Sequence, residues 1–288
     1  MESTRALNRP DGTRLTYSLT ISRSIAAERA IVLIHGLASN RSRWAEFVEQ
    51  TSLGARWSLV RLDLRGHGES QARGAINLEQ WCADIAAVLE AEHHDQAVIV
   101  GHSLGARVAL EFARQFPQRT KGIVLIDPVF RDAVRNPLLA MLSPVYRFMA
   151  MLLRAMNAIG LRRRHIEPLN LRALDEEARI ALRNAESAKA FVKRYSSPCA
   201  DMRQIRAANY FQDLVEMFRR IKIVSAVKAP VLLLLSSGAT FADPARTREL
   251  VAKWSKPTIE TIEAEHWPLT EKPTEIRQAI EAWVERLA

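Results

Sequence analysis

The chain has 288 residues, of which 48% are hydrophobic and 25% are charged, proportions typical of an ordinary globular protein. Its formal net charge at pH 7 is +9. The first 15 residues contain no apolar core of a signal peptide, and the chain has no uninterrupted apolar run long enough to span a bilayer, so we expect a cytoplasmic location.

Short apolar runs separated by helical patterns fill the chain as far as residue 126. Continuous apolar runs of this length are typical of strands that are buried on both faces of a parallel sheet. Leu78–Glu92 and Leu104–Gln115 repeat apolar residues at helical spacing between them. The alternation predicts an α/β fold with a mostly parallel, doubly wound sheet. Its predicted strands are Ala30–Ile34, Ser58–Leu64, Ala97–Val100, Gly122–Ile126 and Val231–Leu235.

The alternation stops after Phe130 and resumes at Pro230. Between them the pattern is helical, which predicts an inserted helical lid over residues 131–227. Residues 1–130 and 228–288 would then form one core domain. In the second part of that core we predict a helix at Pro244–Trp254, a strand at Thr258–Ile262 and a helix at Thr274–Leu287.

The predicted lid carries the entire net charge. It has eighteen Lys and Arg against nine Asp and Glu from Arg131 to Lys222, whereas the remainder of the chain has 23 of each sign. The stretch Pro137–Leu161 is rich in Leu and Met, which form adaptable apolar walls, so we expect an apolar small-molecule substrate. Packing of the lid on the core, or an amphipathic helix at a membrane interface, would give the same pattern. The basic residues also suit contact with an anionic membrane surface. They form no nucleic-acid-binding motif, so we expect no nucleic-acid partner, and the oligomeric state is left open.

The strongest motif is Gly101-His102-Ser103-Leu104-Gly105, between an apolar strand and a helix. A serine at such a turn adopts strained dihedral angles, and the flanking glycines remove side chains that would collide there. The turn exposes the hydroxyl and directs the first helical N–H groups at a developing oxyanion. The motif therefore predicts Ser103 as a nucleophile.

Together with three further segments, this motif resembles the α/β-hydrolase family over nearly the whole chain. His35-Gly36-Leu37-Ala38 is similar to the family's loop that supplies the second oxyanion donor, which implies the backbone N–H groups of Leu37 and Leu104 as the oxyanion hole. Asp63–Ser70 (DLRGHGES) resembles a structural turn of the family. His266-Trp267-Pro268-Leu269 is similar to the segment around its catalytic histidine, so the resemblance implies His266 as the general base. We interpret the histidines of the other motifs, His35, His67 and His102, as structural.

The acidic partner of the histidine has two candidates. Most members of the family carry G-x-x-D after the strand that corresponds to Val231–Leu235, but here alignment of the next helix places Ala239 at the aspartate position. Asp243 then falls at a helix N-cap, where aspartate is favoured for local reasons. Asp127, directly after Gly122–Ile126, resembles the position of the acid in certain haloalkane dehalogenases. We favour Asp127, although members with the later acid also carry I-D-P at this point.

These residues predict a serine hydrolase. Ser103 in place of a carboxylate nucleophile argues against the epoxide-hydrolase and dehalogenase branches. We expect carboxylesterase chemistry through an acyl-enzyme, on an ester with an apolar acyl or alcohol part. Thioesterase, lactonase, amidase, C–C hydrolase and perhydrolase activities use the same groups and stay open, as does a non-catalytic ligand receptor of the same fold.

No cofactor and no metal are expected, because a hydroxyl, an imidazole, a carboxylate and two amides suffice for acyl transfer. The adjacent pair His93 and His94 lacks the spacing of metal ligands. Two cysteines, Cys82 and Cys199, form no disulfide framework, which agrees with a reducing compartment.

Overall fold

An eight-stranded sheet in the order β1-β2-β4-β3-β5-β6-β7-β8 forms the centre of the protein. The computed structural model describes residues 2–22, 29–72, 74–161, 163, 165–181, 197–220, 227–238, 240–253 and 257–287. β3 to β8 are parallel, whereas β1 and β2 are antiparallel to their neighbours. The strands are β1 (Glu2–Asn8), β2 (Arg14–Thr20), β3 (Arg29–Ile34), β4 (Ser58–Leu62), β5 (Gln96–His102), β6 (Thr120–Ile126), β7 (Val231–Ser236) and β8 (Thr258–Ile262).

Helices connect the parallel strands and cover both faces of the sheet. They are α1 (Ala45–Gln50), α2 (Leu78–Ala91), α3 (Leu104–Gln115), α4 (Pro137–Met141), α5 (Ser143–Ala158), α6 (Leu171–Ala181), α7 (Pro198–Gln204), α8 (Ala207–Met217), α9 (Pro244–Ala252), α10 (Pro268–Glu271) and α11 (Pro273–Glu285). No described helix is both long and apolar enough to cross a bilayer.

Burial on both faces explains why the central strands are continuous apolar runs in the sequence. In β3, Ile31 and Leu33 face one apolar cluster while Ala30, Val32 and Ile34 face another on the opposite side of the sheet. All five side chains are buried. Because burial of each large apolar side chain contributes roughly 1.5–3 kcal/mol, both faces of such a strand favour an apolar residue at every position.

All the predicted strands are present, and β1 and β2 extend the sheet beyond them. In β2, polar Thr16 and Ser18 alternate with Leu15, Tyr17 and Leu19, so the sequence has no continuous apolar run there. That alternation is itself typical of a strand, and it was the signal that could have identified β2.

The predicted strand Ser58–Leu64 ends at Leu62, where the turn that follows β4 begins. The Asp63 carboxylate accepts hydrogen bonds from the backbone N–H groups of Arg41 at 2.7 Å and Glu69 at 2.9 Å. Gly68 has a φ of 46°, and a Cβ atom on it would lie 2.4 Å from the Asp63 carboxylate. These contacts give the turn a structural role.

The described residues between β6 and β7 form α4 to α8. Tyr146 of α5 packs its ring against Phe211 of α8 and against Phe218, with ring centroids 6.3 and 6.2 Å apart. Asn209 attaches α8 to the turn after β4, because its side-chain amide donates to the Gly66 carbonyl at 3.1 Å. Residues 162, 164, 182–196 and 221–226 of the predicted lid lie outside the described residues, and the lid boundaries at 131 and 227 stay a prediction.

Candidate active site

Ser103 lies at the sharp turn between β5 and α3. Its backbone has φ 53° and ψ −111°. A positive φ is unfavourable for a residue with a side chain, so the turn is strained. The Ser103 backbone N–H donates to the Ile126 carbonyl at 2.9 Å, which ties the turn to β6. The side chain is therefore held at the carboxyl ends of two central parallel strands.

The glycines on either side of Ser103 are required by close backbone packing. A Cβ atom on Gly101 would lie 2.1 Å from the Gly105 carbonyl oxygen, and one on Gly105 would lie 2.5 Å from the Ile34 carbonyl oxygen. Backbone atoms cannot rotate away from such a contact. The spacing of the two glycines follows from this geometry.

We expect Gly101→Ala to lower the free energy of unfolding by about 3 kcal/mol, since the added methyl group collides with backbone. Gly74→Ala is the matched control, because nothing lies within 4 Å of the position its Cβ would take. Thermal unfolding followed by circular dichroism measures both. Equal Tm values for the two variants would contradict the geometry of the turn.

His266 lies between β8 and α10, with its Nε2 atom 3.0 Å from Ser103 Oγ. The loop that carries it is fixed from both sides. Glu271 accepts hydrogen bonds from the backbone N–H groups of Glu265 at 3.0 Å and Trp267 at 3.1 Å. The ring of His102 also bonds the His266 carbonyl through Nε2 at 2.8 Å. Sequence reasoning identified His266 but missed the supporting carboxylate of Glu271, which looks in the sequence like an ordinary helix residue.

Of the two acid candidates, the structure brings only Asp127 to His266. Asp127 Oδ2 is 3.9 Å from His266 Nδ1. Its carboxylate accepts hydrogen bonds from Ser236, from the backbone N–H at 2.6 Å and from the hydroxyl. Asp243 instead caps α9, accepting from the backbone N–H groups of Ala245 and Arg246. Ala239, the position aligned with the later aspartate, lies outside the described residues.

Burial is the main cause of the shifted pKa values of Asp127 and His266. It raises the pKa of the Asp127 carboxyl to about 7, against the lowering effect of the Ser236 hydrogen bonds. Burial lowers the pKa of His266 well below its usual value. His266 is therefore neutral at pH 7, and its Nε2 atom can accept the Ser103 proton.

Leu37 lines the cavity that contains Ser103, and Leu104 directly follows Ser103 as the first residue of α3. Neither backbone N–H group donates a hydrogen bond to any described residue. A Cβ atom on Gly36 would lie 3.4 Å from Ser103 Cβ, so the loop before Leu37 packs directly on the serine turn. Two free donors beside a hydroxyl are what an oxyanion hole requires.

His35 fixes the direction of the Leu37 N–H. The Leu64 backbone N–H donates to His35 Nε2 at 3.1 Å, so the ring proton is on Nδ1, which donates to the Gly36 carbonyl at 2.8 Å. That carbonyl and the Leu37 N–H belong to one peptide group and point in opposite directions. His35 is thus structural, and it orients a candidate oxyanion donor.

His67 is buried and also has a structural role. Its Nε2 atom lies 3.2 Å from the carboxylate of Asp213 on α8. Asp213 raises the pKa of His67 against the opposing effect of burial. The pair joins the turn after β4 to the helices between β6 and β7.

A cavity of about 390 Å³ opens onto Ser103 and His266. This volume falls in the range of small-molecule sites. Its two charged residues are Arg43, which is paired with Asp175 at 2.6 Å, and Asp201. The helices between β6 and β7 supply much of its apolar wall: Leu139, Tyr146, Phe211, Leu214 and Met217.

Cys82 is buried, Cys199 is exposed, and both are free. Among the described residues, no group of three or more His, Cys, Asp or Glu side chains is placed to hold a metal ion.

The model of the alpha/beta hydrolase family matches residues 31–279 of the chain. Among curated proteins, a dihydrolipoyllysine-residue acetyltransferase component of an acetoin cleaving system from Cupriavidus necator is 33% identical over 128 residues. That match covers 44% of this chain and 33% of the relative, so it reaches about a third of the relative's length.

Solved structures resemble the chain over its full length. A thermophilic esterase from Thermogutta terrifontis has a TM-score of 0.68 at 21% identity, covering 100% of this chain and 99% of that protein. An enol-lactonase from Burkholderia xenovorans has a TM-score of 0.66 at 20% identity, covering 99% of each chain. At these identities the likeness shows the fold, and it confirms the predicted fold class.

Proposed function

The chain belongs to the alpha/beta hydrolase family, and from this we propose that it is a serine hydrolase of the carboxylesterase type. The observation that carries the proposal is the 3.0 Å contact between Ser103 Oγ and His266 Nε2 at a strained, glycine-flanked turn. A hydroxyl in contact with a neutral imidazole is the arrangement of an activated nucleophile.

In the first step, Ser103 Oγ attacks the carbonyl carbon of the ester while His266 Nε2 accepts the hydroxyl proton. The carbonyl oxygen becomes an oxyanion and accepts hydrogen bonds from the N–H groups of Leu37 and Leu104. His266 then donates its proton to the departing alkoxide, which leaves as an alcohol. Ser103 is left as an acyl ester.

In the second step, water attacks the acyl-enzyme and gives its proton to His266. His266 then returns this proton to Ser103 Oγ, so the carboxylic acid leaves and the Ser103 hydroxyl is restored. Asp127 would stabilise the positively charged imidazolium that forms in both steps. This role requires its carboxylate to approach His266 Nδ1 by about 1 Å from the present 3.9 Å, to the length of a charge-assisted hydrogen bond.

The apolar wall of the cavity supports an ester with an apolar acyl or alcohol part. Leu214, Met217 and Phe211 face it from one helix, α8, while Leu139 and Tyr146 face it from α4 and α5. At the cavity, Arg43 is paired with Asp175, while burial raises the pKa of Asp201 to about 7 and Asp201 shares a hydrogen bond with Tyr210. An uncharged substrate therefore suits this cavity better than an ionic one.

We expect kcat/KM for p-nitrophenyl esters to rise with acyl length until the cavity is filled. Each buried methylene contributes about 0.8 kcal/mol, roughly a fourfold gain per group. Leu214→Trp should remove the gain for long chains and preserve turnover of the acetate, because it adds bulk to the apolar wall of the cavity and replaces no proposed site residue. A flat series in the native protein would contradict an apolar acyl site.

The same assay separates the alternatives. Thioesters, lactones and amides of matched acyl length show which carbonyl the site prefers. A non-catalytic receptor of this fold would bind such compounds with no turnover of any of them.

A further inference from the structure

The helices α4 and α5 present a large apolar face to solvent. Leu138, Met141, Phe148, Met151 and Ile159 are 63%, 65%, 56%, 61% and 75% exposed. The opposite face of α5 is the buried one, through Tyr146 and Ala150. Contiguous exposed apolar surface of this kind marks an interaction site, since scattered single residues would need no explanation.

Basic residues border this face and acidic residues are absent from it. Between Asp132 and Glu167 the sequence contains six arginines and no Asp or Glu. Arg147 and Arg154 lie seven residues apart, so they follow one edge of α5 beside the apolar face. Both are exposed, and neither forms an ion pair with a described acidic side chain.

We propose that the α4–α5 face, defined by Leu138, Met141, Phe148, Met151 and Ile159, docks on an anionic lipid surface. A helix that lies in a membrane interface buries an apolar face among the lipids and keeps Arg side chains at the headgroups. Each basic residue near an anionic surface adds to the attraction. The α4–α5 face has both properties.

A second copy of the chain is a poorer partner for the same face. In a symmetric dimer this face would meet itself, because both subunits use one patch. The arginines between Asp132 and Glu167 would then be brought together with no acidic residue of that segment to neutralise them. Anionic headgroups supply the missing negative charge.

Docking would place the cavity beside the lipid. α5 exposes Phe148 and Met151 on one side, while Tyr146 on its other side lines the cavity at Ser103. The lipid and the cavity would then be separated by α5 alone. Docking itself does not depend on the proposed function.

The test is sedimentation of the full chain with vesicles of phosphatidylcholine mixed with phosphatidylglycerol. We expect Phe148→Glu and Met151→Glu each to weaken binding about tenfold, because each inserted apolar side chain is replaced by a charge of the same sign as the lipid. Ile21→Glu, at an isoleucine that is 51% exposed at the end of β2, should bind normally.

Charge variants complete the experiment. Arg147→Gln and Arg154→Gln should each weaken binding to the vesicles about fivefold. Arg56→Gln should not, because Arg56 lies on the surface of the core domain and outside the α4–α5 face. Binding should also fall with added salt. Ser103→Ala should bind as the native protein does, so a failure of the proposed hydrolase activity would leave this result unaffected.

Two outcomes would overturn the proposal. If the arginine variants lose binding and the Phe148→Glu and Met151→Glu variants retain it, the attraction is non-specific adsorption of a basic protein. If the native chain is a dimer in solution and Phe148→Glu makes it a monomer, a second copy covers the face. Circular dichroism melting checks that every variant is folded.

Discussion

Replacing Ser103 with Ala should reduce ester turnover by a factor on the order of 10⁶, because removal of a serine nucleophile eliminates the acyl-enzyme route. The residual rate should reflect only binding and the oxyanion donors. The variant should also fail to react with a fluorophosphonate probe. Covalent labelling followed by mass spectrometry would place the adduct of the native protein on the peptide that contains Ser103.

Ser52→Ala is the control for this experiment. Ser52 is exposed and does not line the cavity that contains Ser103 and His266, so its removal should leave both labelling and turnover unchanged. Labelling that persists in Ser103→Ala would mean that another residue is the nucleophile. A native protein that is not labelled and turns over no ester would favour the receptor alternative.

Apolar runs in the sequence predicted the central fold, whereas the glycine-flanked serine motif predicted Ser103 and the resemblance to the α/β-hydrolase family implied His266. A continuous apolar run must be buried on both faces, which fixes the parallel strands and therefore brings the residues after their carboxyl ends to one edge of the sheet. Ser103 follows one such strand, β5, and His266 follows another, β8. The topology alone brings these two residues into contact, although they are 163 residues apart in the sequence.

The supporting contacts were less accessible to sequence reasoning. Ser236 holds the Asp127 carboxylate only because β6 and β7 are neighbours in register, with Ile126 opposite Leu234. Glu271 holds the His266 loop through backbone N–H groups, which carry no sequence signal. The exposure of the α4–α5 face likewise depends on which side of α5 packs inward. Apolar periodicity identifies an amphipathic helix, but Phe148 and Tyr146 are both aromatic, and only packing distinguishes them.

The contacts of His102 support its interpretation as a structural residue. Its Nε2 atom contacts the His266 backbone carbonyl and not a reacting group. Burial lowers the pKa of His102 to about 4, so the ring is neutral at pH 7 and adds no charge beside His266. A neutral neighbour leaves His266 able to become positively charged during the reaction.

Asp127→Asn should reduce kcat by a factor on the order of 10⁴, because an amide can neither stabilise the imidazolium nor fix the same tautomer of His266. The fold should be preserved, since Asn tolerates the φ of 43° at this position as well as Asp does. The side-chain oxygen of Asn can still accept the Ser236 backbone N–H. Steady-state turnover of a p-nitrophenyl ester, with circular dichroism as the check on folding, measures the effect.

Asp243→Asn provides the matched control. Asn is as good an N-cap as Asp, so α9 should keep its cap and turnover should stay near that of the native protein. If instead Asp243→Asn is inactive and Asp127→Asn is active, the acid belongs to the later strand. Each variant replaces one carboxylate oxygen with an amide nitrogen. A difference in turnover between the two variants therefore reports the position of the residue and not the chemistry of the substitution.

The pH profile distinguishes a loss of charge at Asp127 from a general loss of structure. Because the pKa of Asp127 is raised to about 7, its carboxylate is present above that pH and is lost as the pH falls through it. kcat/KM of the native protein should therefore decrease on the acid side of pH 7, by about tenfold per pH unit. The pKa of His266 is shifted well below its usual value, so this histidine protonates only at lower pH and does not set that limb. In Asp127→Asn the decrease of kcat/KM near pH 7 should disappear, because an amide does not titrate. A misfolded fraction would instead lower kcat/KM equally at every pH and leave the shape of the profile unchanged.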